Sequence, residues 1–154
     1  MPRFTMPQSL ANVLVHLVFS TKERRPFLQH AAKRDAMHRY LASVSAHLEC
    51  PVIRVGGTED HVHLLARQGR TIALAEWVKE LKRVSSLWAK SHELNQFQWQ
   101  AGYAGFSVSQ SQSGEVERYI ARQLEHHQKF DFQQEFRKLL ELHGLEWDER
   151  YVWD

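Results

Sequence analysis

The stretch "TEDHVHLL", residues 58 to 65, carries two imidazoles two positions apart in an apolar run. On a strand the side-chain period is two, so His61 and His63 project from one face while Val62 and Leu64 point to the other. Two neutral imidazoles on one face can share a divalent cation, but two nitrogens do not complete a site. Without a third protein ligand or substrate oxygens, the pair is merely hydrogen-bonded. A second spacing lies in "VERYIARQLEHH", residues 116 to 127, where Tyr119 and Gln123 stand four apart and on a helix address the same point. A phenol is a competent covalent nucleophile when charge is drawn from the electrophile, and a carboxamide oxygen is an acceptable hard ligand for magnesium or manganese. Spacing alone leaves open a plainer arrangement, a packed tyrosine ring beside a solvated glutamine. His126 and His127 point about 100° apart on a helix, so the two do not meet one ion. Neither enters the metal set: His127, four after Gln123, falls near the site or on a phosphate, and His126 falls at the surface.

The elements that must position these groups follow from periodicity. "NVLVHLVFS" (12 to 20) is a β-branched apolar run that stops at a charged loop, and reads as a strand. Residues 31 to 49 turn helical, with Met37, Leu41, Val44 and Leu48 three or four apart, until Pro51. "VIRVGG" (52 to 57) and "HVHLLA" (61 to 66) form a hairpin. A helix over 71 to 91 has Thr71 as N-cap and Leu74, Val78, Leu81 and Trp88 as its apolar stripe. "FQWQAGYAGFSVS" (97 to 109) is one strand, or two pieces broken at Gly102 or Gly105. Ser109 and Gln112 have capping-box spacing before a helix that runs to about Gln128, and a last helix covers 131 to 144, with Gly144 at its C-terminal cap. Strand, helix, strand, strand, helix, strand is the split βαβ order. The expected class is α+β: a ferredoxin-like, antiparallel four-stranded sheet with helices on one face, plus C-terminal helices.

The bulk numbers narrow the function classes. A chain of 154 residues with 43% apolar and 25% charged residues, seven Gly and four Pro is one folded domain, 1–154. Its single cysteine, Cys50, excludes an internal disulfide and a Cys-based zinc cluster. No run reaches the roughly 18 apolar residues of a membrane span, and the N-terminus lacks the order of a signal peptide, so a cytoplasmic address without membrane partners is expected. A net charge of +2 does not by itself announce a nucleic-acid binder, so partners must be argued from local charge.

Taken in order, "DHVHLL" resembles the His-hydrophobic-His motif of the HUH endonucleases, and "YIARQ" the tyrosine-plus-glutamine helix of the single-tyrosine transposases of small bacterial insertion sequences, REP-associated relatives included. "HLVFSTKERRPFL", "FQWQAGYAGFSVS" and "EHHQKFDFQQEF" resemble the same family, so the likeness runs from about His16 to Trp153. The resemblance implies a metal-dependent single-stranded DNA endonuclease and strand transferase, acting as a homodimer near hairpins. It implies that His61, His63 and Gln123 hold Mg2+ or Mn2+ and that Tyr119 attacks phosphorus, giving a 5′-phosphotyrosine and a free 3′-hydroxyl with no nucleotide cofactor. The alternatives are a non-catalytic ferredoxin-like nucleic-acid-binding module, a domesticated relative that processes chromosomal repeats, and a nuclease that uses water.

For the DNA, Lys79, Lys82, Arg83, Ser86 and Lys90 recur along one side of the 71 to 91 helix as a basic rail, although Glu76 and Glu80 can pair within it. Lys22, Arg24 and Arg25 in "STKERRP" offer further phosphate contacts. Of Trp99, Tyr103 and Phe106, at most one is expected to stack on a base. Trp147, Tyr151 and Trp153 are expected to dock on the body or on a partner subunit.

Overall fold

A computed structural model describes residues 7–154. Its centre is a four-stranded antiparallel sheet of β1 (Leu14–Ser20), β2 (Val52–Gly57), β3 (His61–Arg67) and β4 (Ala104–Val108), in the order β2-β3-β1-β4. This is the expected α+β arrangement. The two inner strands are buried on both faces, which is why they read as nearly unbroken apolar runs. Their alternation divides the core in two. Val15, Leu17, Phe19, Val62 and Leu64 meet Met37 and Leu41 of α1 (Ala31–His47) and Trp77 and Leu81 of α2 (Leu74–Lys90).

The opposite face is covered by the C-terminal part of the chain. Leu14 and Leu65 pack against Ile120 of α3 (Ser113–Ala121), and Val18, Ala104 and Phe106 against Phe132, Phe136 and Leu140 of α5 (Phe132–Leu142). A short α4 (Gln123–His126) joins them. The histidines at 61 and 63 therefore face a second, enclosed layer and not solvent. Gly56 on β2 makes that closeness possible, because a Cβ built there would lie 2.3 Å from the Ile120 carbonyl oxygen of α3.

Several local expectations are corrected. Helix α2 begins three residues after Thr71, with Ala73 in the cap position; Gln68 donates to the Ile72 carbonyl at 2.9 Å and Ile72 packs on the core, holding the approach extended. The helix expected through Gln128 is broken at Arg122 (φ −102°, ψ 18°), whose N–H turns back to the Tyr119 carbonyl. Ser109 caps nothing; its Oγ sits 3.1 Å from that of Ser111, and a 3₁₀ turn leads into α3. Of the two forms expected for the 97 to 109 stretch, the two-piece form broken around Gly102 is the one found: an isolated bridge from Trp99 to Thr21 and then β4, with Gly105 inside the strand. Helix α5 opens on a capping box between Asp131 and Gln134, and Gly144 follows its end at φ 69°.

At the C-terminus Trp147, Val152 and Trp153 dock on the α5 core while Tyr151 stays exposed. No helix among the described residues is long and apolar enough to cross a membrane.

Candidate active site

β3 presents His61 and His63 to the α3–α5 layer, both at 0% exposure. They converge with Tyr119, Gln123 and His127 on one carboxylate, Glu135, itself 2% exposed. His127, His63 and His61 bring their Nε2 atoms to 2.9, 3.2 and 3.3 Å from Glu135 Oε1. Gln123 Nε2 donates to Oε2 at 2.7 Å, and the Tyr119 hydroxyl donates to the same oxygen. Gln123 Oε1 lies 2.8 Å from His61 Nε2. The break at Arg122 does not separate Tyr119 from Gln123; both still meet one point.

The sequence reading brought together His61, His63, Tyr119 and Gln123, but missed Glu135 and set His127 aside. The signal for Glu135 was present: in α5 the positions 132, 135, 136 and 140 form the buried stripe, with Leu139 partly buried beside them, and a carboxylate occupies one of them. A charge in a core position requires partners. His126 is half-buried, not a surface residue, and stacks on the Tyr119 ring with centroids 4.9 Å apart.

Charge distribution follows from these contacts. Burial works against a charged His61, but the hydrogen bonds it donates to the Asp60 and Glu135 carboxylates overcome it and hold the imidazole at about 9. Both ring nitrogens then donate, Nδ1 to Asp60 Oδ1 at 2.8 Å and Nε2 to Gln123. His63 has no carboxylate of its own beyond the shared one, and burial lowers it below the ordinary range. Although burial opposes its ionisation, Glu135 is held far below the usual carboxylate range by the imidazoles around it. Burial and the adjacent Glu135 charge push the Tyr119 phenol well above 10, so it is a protonated donor here.

The donor chemistry fits a divalent cation. His61, His127 and Glu135 each offer a ligand atom, and these atoms lie within 4.8 Å of one another. Imidazole nitrogens with carboxylate and carboxamide oxygens suit borderline-to-hard divalent ions. Binding there would displace the proton on His61 Nε2, which makes affinity depend on pH.

The basic residues sort differently from their spacing. A groove of about 780 Å³ runs along α2, and Lys22, Lys79, Lys82, Arg83, Ser86 and Lys90 all line it. Lys82, however, places its ammonium on the carbonyls of Gln100 (2.8 Å), Ala101 (3.2 Å) and Gly102, and burial lowers it to about 8. Arg83 pairs with Glu80 at 2.8 Å, Arg25 with Glu23 at 3.1 Å, and Arg24 lies over the Trp153 ring. Trp99 and Phe106 are buried, leaving Tyr103 as the exposed aromatic of the three, on the groove wall.

The sequence profile of the family described as IS200-like transposases matches residues 9–123. Among curated proteins none matches the chain. Solved structures share its fold, two of them as follows. One is from Deinococcus radiodurans R1, described as a candidate transposase: TM-score 0.62 at 20% identity, over 79% of this chain and 98% of that one. The other is a REP-associated tyrosine transposase bound to a REP hairpin: TM-score 0.58 at 12% identity, over 82% of this chain and 74% of that one. At these identities the structures speak for the fold, and the family rests on the profile, which spans well over half of the sequence. The chain belongs to the IS200-like transposase family.

Proposed function

We propose that this transposase nicks and rejoins single-stranded DNA at hairpin-flanked ends through a 5′-phosphotyrosine on Tyr119. The observation that carries the reading is the convergence of the Tyr119 hydroxyl with His61, Gln123 and Glu135 in one buried cluster. His61, His127 and Glu135, with His63 and Gln123 beside them, would hold Mg2+ or Mn2+. A cation bound there supplies Lewis-acid polarisation of a non-bridging phosphate oxygen.

The chain's own groups account for the rest. The Tyr119 oxygen forms a bond to phosphorus as the bond to the 3′-oxygen breaks, and the 3′-oxygen leaves as a hydroxyl after taking up a proton. Glu135 Oε2 accepts the phenol hydrogen and orients the Tyr119 oxygen; held far below the usual carboxylate range it is a weak base, so the proton Tyr119 loses passes on to water. His126 stacked on the phenol ring limits its rotation. The covalent bond conserves the phosphodiester energy, so a second 3′-hydroxyl can reverse the step without a nucleotide cofactor. Lys79 and Lys90 on the groove wall suit the phosphates of a hairpin stem, with Tyr103 as a stacking surface. A homodimer is part of this reading.

The REP hairpin bound to the second solved structure supports the choice of DNA probe. The test incubates labelled single-stranded and duplex oligonucleotides from both flanks of the gene with the protein, Mn2+ or Mg2+. Cleavage confined to the single-stranded form, dependent on the ion and lost in Tyr119→Phe, is expected. Hairpin binding without cleavage under either ion would favour a non-catalytic binding module, and cleavage that survives Tyr119→Phe would make water the nucleophile.

A further inference from the structure

His16 lies in the middle of β1, in the motif "HLVFS", and the proposed chemistry gives it no task. It is 4% exposed, with its ring 5.0 Å from that of His63 and 5.9 Å from that of Phe106. Its Nε2 is 2.8 Å from His63 Nδ1. A nitrogen–nitrogen hydrogen bond of that length needs one proton and one lone pair, so two imidazoliums cannot face each other there.

The two motif histidines are thus held differently. His61 Nδ1 faces Asp60 Oδ1 at 2.8 Å and Thr58 Oγ1 at 3.0 Å. An ionised carboxylate only accepts, so the proton on His61 Nδ1 is fixed. His63 Nδ1 instead faces an imidazole, which can donate or accept. In the present arrangement His63 Nε2 points at Glu135 Oε1, 3.2 Å away, and must carry the hydrogen. His63 Nδ1 is then the acceptor, and His16 Nε2–H the donor.

We infer that His16 is a positioning residue that sets the tautomer of His63, and so decides whether His63 Nε2 can turn a lone pair toward a cation. The cation part of this inference rests on the proposed function. For Nε2 to become a ligand, its proton must leave, one proton must cross from His16 Nε2 to His63 Nδ1, and one must be taken up at His16 Nδ1. The proton count of the pair is unchanged; both rings exchange tautomer together. A side chain at position 16 must therefore be able both to donate to and to accept from His63. Imidazole does so by tautomerism and a carboxamide by rotation, whereas a phenyl ring does neither.

The first arm of the test uses metal-free, 15N-histidine-labelled wild type. A scalar coupling across the N–H···N bond between His16 and His63, with the His63 proton on Nε2, is expected, and addition of Mg2+ is expected to move it to Nδ1. Absence of the coupling, or a His63 proton on Nδ1 before any ion is added, overturns the inference. The second arm measures Mn2+ affinity from the free-ion paramagnetic signal. His16→Phe is expected to weaken binding about 10- to 100-fold, the range for a lost partner of a metal-ligating histidine, and His16→Gln to recover most of it. Equal affinity of wild type and a folded His16→Phe overturns the inference. If wild type takes up no Mn2+ while the coupling is present, the failure belongs to the proposed cation and the tautomer assignment stands.

Discussion

Replacing Glu135 by glutamine removes one negative charge from a point where five side chains converge, with little change in volume. Three imidazole nitrogens lie between 2.9 and 3.3 Å of Oε1, and Gln123 and Tyr119 occupy Oε2. An amide cannot serve that set: one of its ends donates, and either the imidazoles or the Tyr119–Gln123 pair then meets a donor. Each hydrogen bond to a charged acceptor contributes roughly 1.5–3 kcal/mol, but bonds to one atom pair are not additive. The better guide is the roughly 3–5 kcal/mol lost when one partner of a buried charge pair is removed. For a domain of this length that corresponds to a fall in Tm of roughly 6 to 20 °C. The assay is urea unfolding in EDTA at pH 6, followed by tryptophan fluorescence. Absorbance titration at 295 nm should also find the Tyr119 phenol ionising at lower pH than in wild type, since a negative neighbour is gone. A stability loss below about 1 kcal/mol with an unchanged phenol would refute the reasoning and place Glu135 outside the cluster in solution.

Other perturbations read other parts of the account. His61 is held at about 9 in the fold against 6.5 in the open chain, so its stabilisation is complete below pH 6.5 and lost as pH rises through 9. Metal-free protein should lose up to roughly 3 kcal/mol across that window, and His61→Ala should remove the slope. Gly56→Ala drives a methyl group into the Ile120 carbonyl and should cost about 1–3 kcal/mol while shifting α3 and reducing DNA cleavage; wild-type cleavage would mean that α3 tolerates the shift. Replacing Lys79 and Lys90 by glutamine should lower the salt dependence of hairpin binding, by about 0.9 in the log–log slope for each lost contact to a duplex stem. Lys82→Ala should instead destabilise the fold, because its ammonium holds the carbonyls of residues 100 to 102.

The sheet was legible because its inner strands announce themselves as apolar runs and α2 carries a clear stripe, while α1 is read from four apolar positions and the Pro51 stop. The site was half legible. His61 and His63 share a face by strand periodicity alone, and Tyr119 and Gln123 meet despite the break at Arg122. Glu135 escaped because nothing local tells a carboxylate in an amphipathic helix which cluster it will face; that depends on α5 folding back over β3, a contact between residues more than 70 apart in the chain. Spacing from Gln123 puts His127 near the site but not in the ligand set, because its partner there is the same Glu135 that the fold brings over β3. Charge spacing marked the groove along α2, but could not show that Lys82 and Arg83 are already engaged.

The most direct test of the central claim is mass spectrometry of the protein after reaction with single-stranded flank DNA and Mn2+. The account predicts a peptide containing Tyr119 that carries a 5′-phosphoryl nucleotide, absent when the ion is withheld. Cleaved DNA bearing a 5′-phosphate with no modified tyrosine, or a phosphoryl group on a residue other than Tyr119, would contradict it.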